Sequence, residues 1–502
     1  MRIVVGTHSF GRHGPVLYSF GQVDPVVSIA PGRVRGRIEQ DTAVFLGVPY
    51  AAPPFGENRF AAPAPVAPWE GIRDALRYGA TAPQPHRQHT LVPEPVIEGE
   101  DCLNLNVFTP DPGGPRLPVL VWIHGGGFTA GGNASPWYSG CRFARDGVVV
   151  VCINYRLGAE GFLAIEDAPP NRAVRDWIAA LRWVQENISA FGGDPSRVTV
   201  AGQSAGGVAC AALLTCPPAR GLFRHAICMS GASMAWAGPE RVRALAQALA
   251  HELGVPPTRA ALASVDPDRV VAVQDAAVAR LSRGSEAVRM AFGPVVDGEL
   301  VLAAPYDSIR RGVPSVRLMV GATGEEFNVT AAATPGGVDE ARLERRLGRM
   351  GLGPDAIAAY RTSMSGAEPW RVLGQAVTDS TFKAPAIRLA DAWAGGGGSV
   401  HAYDFDWRTG VGDMGAVHCL DIPFAFDNLD ASGVEEVAGA APPQALADAV
   451  HGSWVRFVVD GQPGWEAYEP VRRPAMVFDE TCKVVEDPWQ LARTAGFSAG
   501  RR

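Results

Sequence analysis

The sequence predicts an α/β fold, with a large, mostly parallel central sheet and helices on both faces. Three observations predict it. Short β-rich apolar runs recur, helical stretches separate them, and no Ser/Pro/Gly-rich or highly charged linker divides the 502 residues. Length alone would suggest three domains at roughly 150 residues each. The unbroken pattern favours one domain with long insertions.

Leu117–His124 (LPVLVWIH) and Gly147–Asn154 (GVVVVCIN) read as buried strands, because apolar side chains fill both parities. From Arg172 to Ala190, Ile178, Leu181, Val184 and Ile188 recur at helical spacing. Asn171 is the expected N-cap, and Gly192-Gly193-Asp194-Pro195 stops the helix. Val198–Gln203 is the next strand, followed at once by a small-residue helix, Ser204–Leu214. Further strands are expected at His225–Met229, Arg317–Gly321 and Val400–Phe405, with Gly395–Gly398 as a loop before the last. Residues 235–290 and 335–395 are helical in character.

Composition narrows the function. With 47% hydrophobic and 19% charged residues, the balance is that of a globular chain with a large core. A net charge of −7 without a basic run offers nothing to a nucleic-acid backbone. Only two lysines, Lys383 and Lys483, stand among 45 basic residues, so lysine chemistry has two candidates. No apolar stretch approaches the ~20 residues a membrane span needs, and the start lacks a leader-like apolar run. A soluble, cytoplasmic protein without a membrane partner is expected. The eight cysteines show no metal-like spacing and read as buried thiols. His86-Arg87-Gln88-His89 lies in a Pro-rich loop with no acidic or thiol partner, so it reads as a solvated loop. No metal and no cofactor are implied.

The chemistry is carried by Gly202-Gln203-Ser204-Ala205-Gly206, a G-x-S-x-G between a strand and a helix. A serine at such a turn is held in a strained backbone with its Oγ projecting from the sheet edge. The following helix aims its first amides at the same point. Alone the pentapeptide is a weak signal; set between a strand and a helix it resembles the nucleophile elbow of the α/β-hydrolase fold, in which the two helical insertions are expected over the sheet as a cap. Eighty residues earlier, His124-Gly125-Gly126-Gly127-Phe128 follows a strand. Bare glycine amides there can approach a bound oxygen, so Gly126, Gly127 and Ala205 are the candidate oxyanion hole.

These motifs, with Phe45–Phe60 (FLGVPYAAPPFGENRF), Glu100–Val107 (EDCLNLNV), Asn154–Gly158 (NYRLG) and Phe191–Pro195 (FGGDP), resemble the type-B carboxylesterase family in its own order. The likeness runs from about residue 25 to the end. Residues 1–24 fall outside it as an N-terminal extension, leaving 25–502 as a single hydrolase domain. The resemblance implies the remaining site. The family's acid, G-x-x-x-x-E, matches Gly321 to Glu326, so Glu326 is the acid and Glu325 a solvated loop carboxylate; Phe327 stands where a glycine usually follows. The base block matches Gly415 to Phe424, which makes His418 the base, with Cys419 and Asp421 as departures. Ser230 is expected to brace the acid. The cholinesterase branch carries a tryptophan at the position of Val92 and a cysteine upstream of Cys102. This chain has neither, so choline esters are not expected substrates.

The expected function is hydrolysis of small to medium apolar carboxylic esters by Ser204, His418 and Glu326 through an acyl-enzyme, the partners being a small-molecule ester and water. Acyl transfer or lactone opening would use the same groups, and a non-catalytic binding homologue would tolerate their loss. Ser380-Thr381-Phe382-Lys383 is a literal S-x-x-K without its companion motifs. Oligomeric state is not legible.

Overall fold

The computed structural model describes residues 24–87, 90–232, 238–281, 290–309, 312–313, 315–334 and 336–497. The N-terminal extension, apart from residue 24, and His89 lie outside the described residues.

Apolar runs that fill both faces become the centre of an eleven-stranded sheet. The amino-terminal strands are β1 (Val26–Ile29), β2 (Gly32–Arg35), β3 (Arg37–Glu39), β4 (Thr42–Pro49), β5 (Ile72–Asp74) and β6 (Asn104–Thr109). The central ones are β7 (Leu117–Ile123), β8 (Val149–Ile153), β9 (Gly193–Gln203), β10 (His225–Met229), β11 (Arg317–Thr323) and β12 (Val400–Phe405). Two more, β13 (Pro474–Phe478) and β14 (Lys483–Glu486), close the chain's contribution. The large sheet has the order β14-β13-β12-β11-β10-β9-β7-β8-β6-β4-β3, and β1, β2 and β5 form a small second sheet. From β8 to β13 every neighbouring pair is parallel; β14, β6, β4 and β3 run antiparallel at the two edges. Because the central strands run one way, their carboxyl ends all open at one edge of the sheet, where ligands meet an α/β fold.

Alternation along the strands divides the core in two. Val119, Val121 and Ile123 of β7 face the helices Arg172–Asn187, Ala205–Leu213 and Ala384–Gly395. Leu120 and Trp122 face Gln444–Asp460. Each fully buried aliphatic side chain contributes ~1.5–3 kcal/mol, so two-sided burial explains why these strands are uninterrupted apolar runs.

One expected cap is corrected. Asn171 precedes Arg172–Asn187 at φ 54°, and its side chain does not cap the helix. Its amide exchanges hydrogen bonds with Val295 N and O at 2.8 Å each, tying the helix start to a distant loop. Gly192, at φ 79°, ends the following 3-10 turn as the sequence implies.

The first insertion contains helices Pro239–Leu253 and Pro267–Leu281, whose Leu245, Leu249 and Val270 join the first core cluster. Its foot is held by buried Arg59, which pairs with Glu160 at 2.7 Å and donates to the carbonyls of Ala263 and Val265. The second insertion, with helices Glu340–Arg349, Pro354–Ser363 and Pro369–Thr378, has a cluster of its own around Leu343, Leu347, Tyr360 and Leu373. Among the described residues no helix is long and apolar enough to cross a membrane.

Candidate active site

The chain turns from β9 into the helix Ala205–Leu213 at Ser204, which adopts φ 57°, ψ −120°. A non-glycine residue rarely occupies that region, and packing imposes it here. A Cβ added to Gly206 would sit 1.9 Å from the Ile123 carbonyl oxygen and 3.0 Å from that of His124, both backbone atoms that cannot move aside. The helix is thereby drawn against the end of β7. Ser204 N donates to the Met229 carbonyl at 2.9 Å, fixing the turn to β10.

Beyond β7, His124 is buried and stacked on Tyr155, with ring centroids 4.4 Å apart. Its Nδ1 donates to the Gly125 carbonyl at 2.8 Å, and burial lowers the imidazole to about 4, so the ring is a neutral strut. Gly126 has φ 101°, and its carbonyl accepts from the amides of Thr129 and Ala130. Among the described residues none accepts from the amides of Gly126, Gly127 or Ala205. These three donors remain for an external acceptor.

Glu326 and His418 come from loops after β11 and β12, zipped together by the backbone. Gly324 N donates to Phe405 O, Glu325 N to Ala416 O, and His418 N to Glu326 O. The fully buried Glu326 carboxylate accepts from Thr323 N through Oε1 at 2.9 Å and contacts His418 Nδ1 through Oε2. Gln203, the residue before Ser204, has its Nε2 3.4 Å from both ring nitrogens of His418. The elbow and the imidazole therefore meet at the carboxyl edge of the sheet.

Burial by itself would lower the His418 imidazole, but Cys419 and Glu326 act in the opposite direction and hold it well above the ordinary histidine value. Of the two, Glu326 is the real source. Burial pushes the Cys419 thiol up, so at neutral pH it carries no charge. Burial, with the charge of Glu326 adding to it, also raises buried Asp421 to about 7, and Tyr403 OH donates to it at 3.0 Å.

Two readings change. Glu325 is not solvated: it is 2% exposed and accepts from Arg408, Asn328 and Ala416 N, a pocket of donors that draws the carboxylate inward. Ser230 Oγ is buried without a partner among the described residues and does not reach Glu326, both of whose oxygens are occupied. The S-x-x-K match, set aside from the sequence, is not assembled as a site either: the Lys383 ammonium pairs with Asp404 at 3.3 Å, and Ser380 Oγ donates to Val377 O.

Residues the sequence reading missed surround the imidazole. Phe327 and Phe382 lie with ring centroids 5.0 and 5.1 Å from it. Cys419 Sγ donates to Gln203 Oε1 at 3.3 Å. The signals were available: Phe327 and Cys419 are the departures that directly follow Glu326 and His418, and Gln203 adjoins Ser204. Among the described residues no three His, Cys, Asp or Glu side chains gather as a metal-holding group.

The family model described as the carboxylesterase family matches residues 23–486. The chain is 35% identical over 487 residues to the para-nitrobenzyl esterase of Bacillus subtilis (strain 168), covering 92% of this chain and 96% of that one. It is 36% identical over 466 residues to the phenmedipham hydrolase of Pseudarthrobacter oxydans, covering 88% and 90% respectively. The crystal structure of Geobacillus stearothermophilus carboxylesterase EST55 at pH 6.2 superposes with a TM-score of 0.83 at 35% identity, over 94% of this chain and 99% of that one.

Proposed function

The chain belongs to the carboxylesterase family and has the α/β-hydrolase fold, and from that premise we propose that it cleaves small to medium, mainly apolar esters with Ser204, His418 and Glu326. It is a carboxylic ester hydrolase; the residue roles and the acyl-enzyme are the finer reading. The single observation that carries them is the His418–Glu326 contact beside Gln203 at the elbow.

Ser204 needs a base, because a serine hydroxyl does not ionise at neutral pH. His418 takes its proton as Oγ attacks the ester carbonyl, then returns it to the departing alkoxide. Glu326 holds Nδ1 and offsets the charge of the imidazolium. The oxyanion forms against the amides of Gly126, Gly127 and Ala205, each donor contributing ~2.7–4 kcal/mol to the transition state. Water then attacks the acyl-enzyme with His418 again as base.

The helical insertions wall the pocket. The helix Pro369–Thr378 supports this role, because it packs on Asn328, two residues beyond the acid. The relative named as a para-nitrobenzyl esterase supports a small ester as substrate.

A panel of para-nitrophenyl esters of graded acyl length, run on wild type and Ser204→Ala, tests the proposal. The variant should lose about 10⁴-fold or more of kcat while remaining folded. Undiminished release by Ser204→Ala would point to another nucleophile.

A further inference from the structure

We infer that Glu94, which lies against the glycine loop, recognises a protonated amine carried by the ester substrate. This rests on the ester-hydrolase reading above and specifies a substrate class for the same site.

The segment bearing Glu94 is fixed from both sides. Val92 is buried in the second core cluster, and Pro93 Cγ lies 2.6 Å from where a Cβ on Gly433 would be. Glu94 is thereby held with Oε1 3.1 Å from the position a Cβ on Gly126 would take, alongside a candidate oxyanion donor. Glu94 is half-buried, yet no group among the described residues donates a hydrogen bond or forms an ion pair with it. Burial raises this carboxyl, and Arg87 acts the other way from a distance. The Arg87 guanidinium is engaged elsewhere, donating to Thr129 Oγ1 at 2.8 Å.

A partly desolvated acceptor without a protein donor gains when a ligand supplies one. An ammonium N–H supplies both the hydrogen bond and the opposite charge. It also offsets the repulsion between an ionised Glu94 and the negative oxygen forming at the Gly126 amide, so the benefit appears in kcat/KM. A quaternary ammonium has no N–H to give, and Val92 presents no aromatic face in compensation. The class is therefore esters bearing a primary, secondary or tertiary amine a few bonds from the carbonyl.

The test compares isosteric pairs at pH 7 on wild type and Glu94→Gln. Dimethylaminoethyl butyrate against isoamyl butyrate places the amine on the alkoxy side. The para-nitrophenyl esters of dimethylaminobutyric acid and of its carbon isostere place it on the acyl side. In at least one pair wild type should favour the amine by about tenfold in kcat/KM, the scale of one charge-assisted hydrogen bond. Glu94→Gln, and Glu94→Ala as a second variant, should bring that ratio near one. Equal ratios in wild type and both variants, on both pairs, would overturn the inference alone. A wild type inert toward all four esters would overturn the ester-hydrolase reading and this inference with it.

Discussion

A carboxylate against a buried imidazole decides where on the pH scale that imidazole gives up its proton. As the proposed base His418 works only when neutral, and its raised value keeps it protonated to higher pH. Activity should climb as pH rises through that value. In Glu326→Gln the favourable charge is gone and burial alone remains, so the climb should move to lower pH while kcat falls about 10³–10⁴-fold. A pH profile of kcat/KM measures both, and an unmoved acid limb would remove Glu326 from the proposed role. At this scale Glu325 and Glu326 show what a sequence cannot display. Both carboxylates are buried, one by donors from Arg408 and Asn328, the other by Thr323 N and His418. Adjacent in the chain, they are set apart by partners 83 and 92 residues away, Arg408 for Glu325 and His418 for Glu326. Family likeness separated them; local chemistry could not.

Among the elements, the parallel strands β7, β8, β10 and β12 are legible because two-sided burial leaves an apolar signature. The strand β6 is not. Its Asn104, Asn106 and Thr109 are fully buried, which a polar-equals-loop reading misses. Asn104 donates to the carbonyls of Ala80 and Asp101, Asn106 to that of Asn133, and Thr109 to that of Phe191. All of those acceptors except the Asp101 carbonyl appear only once loops 24 to 82 residues away are in place. The elbow is legible because its glycines are required by contact. Gly206→Ala should cost ~2–4 kcal/mol and abolish activity, since its methyl meets backbone on two sides. Gly348→Ala, exposed inside Glu340–Arg349 with nothing within 4 Å, should instead stabilise by about 0.5–1 kcal/mol. Urea denaturation of the two variants distinguishes a glycine demanded by packing from one that only loosens a helix.

The whole molecule carries an acid weakness distant from its chemistry. Burial lowers His225 and His401 to about 4, with Arg317 adding to it, and both rings lie near Phe457. Their folded values lie below the ordinary 6.5, so the unfolded chain binds these protons first. The stability they preserve is complete above about pH 6.5 and is lost as pH falls toward 4. His401→Phe should make unfolding free energy less steep against pH across that window by about one proton, or ~1.4 kcal/mol per pH unit. The absolute stability of the variant does not enter that slope. A slope identical to wild type would show that His401 takes up its proton equally in both states.

Arg59 has a consequence for how this enzyme could be altered. Apart from Glu160, its acceptors in the first insertion are main-chain carbonyls, those of Ala263 and Val265, and Arg259 reaches back to the carbonyls of Glu57 and Arg59. Such a socket reads the route of the backbone and is indifferent to most side chains threaded through it. The exposed residues of the segment can therefore be randomised, provided Leu245, Leu249 and Val270 keep their place in the core and the two carbonyls still arrive at the guanidinium.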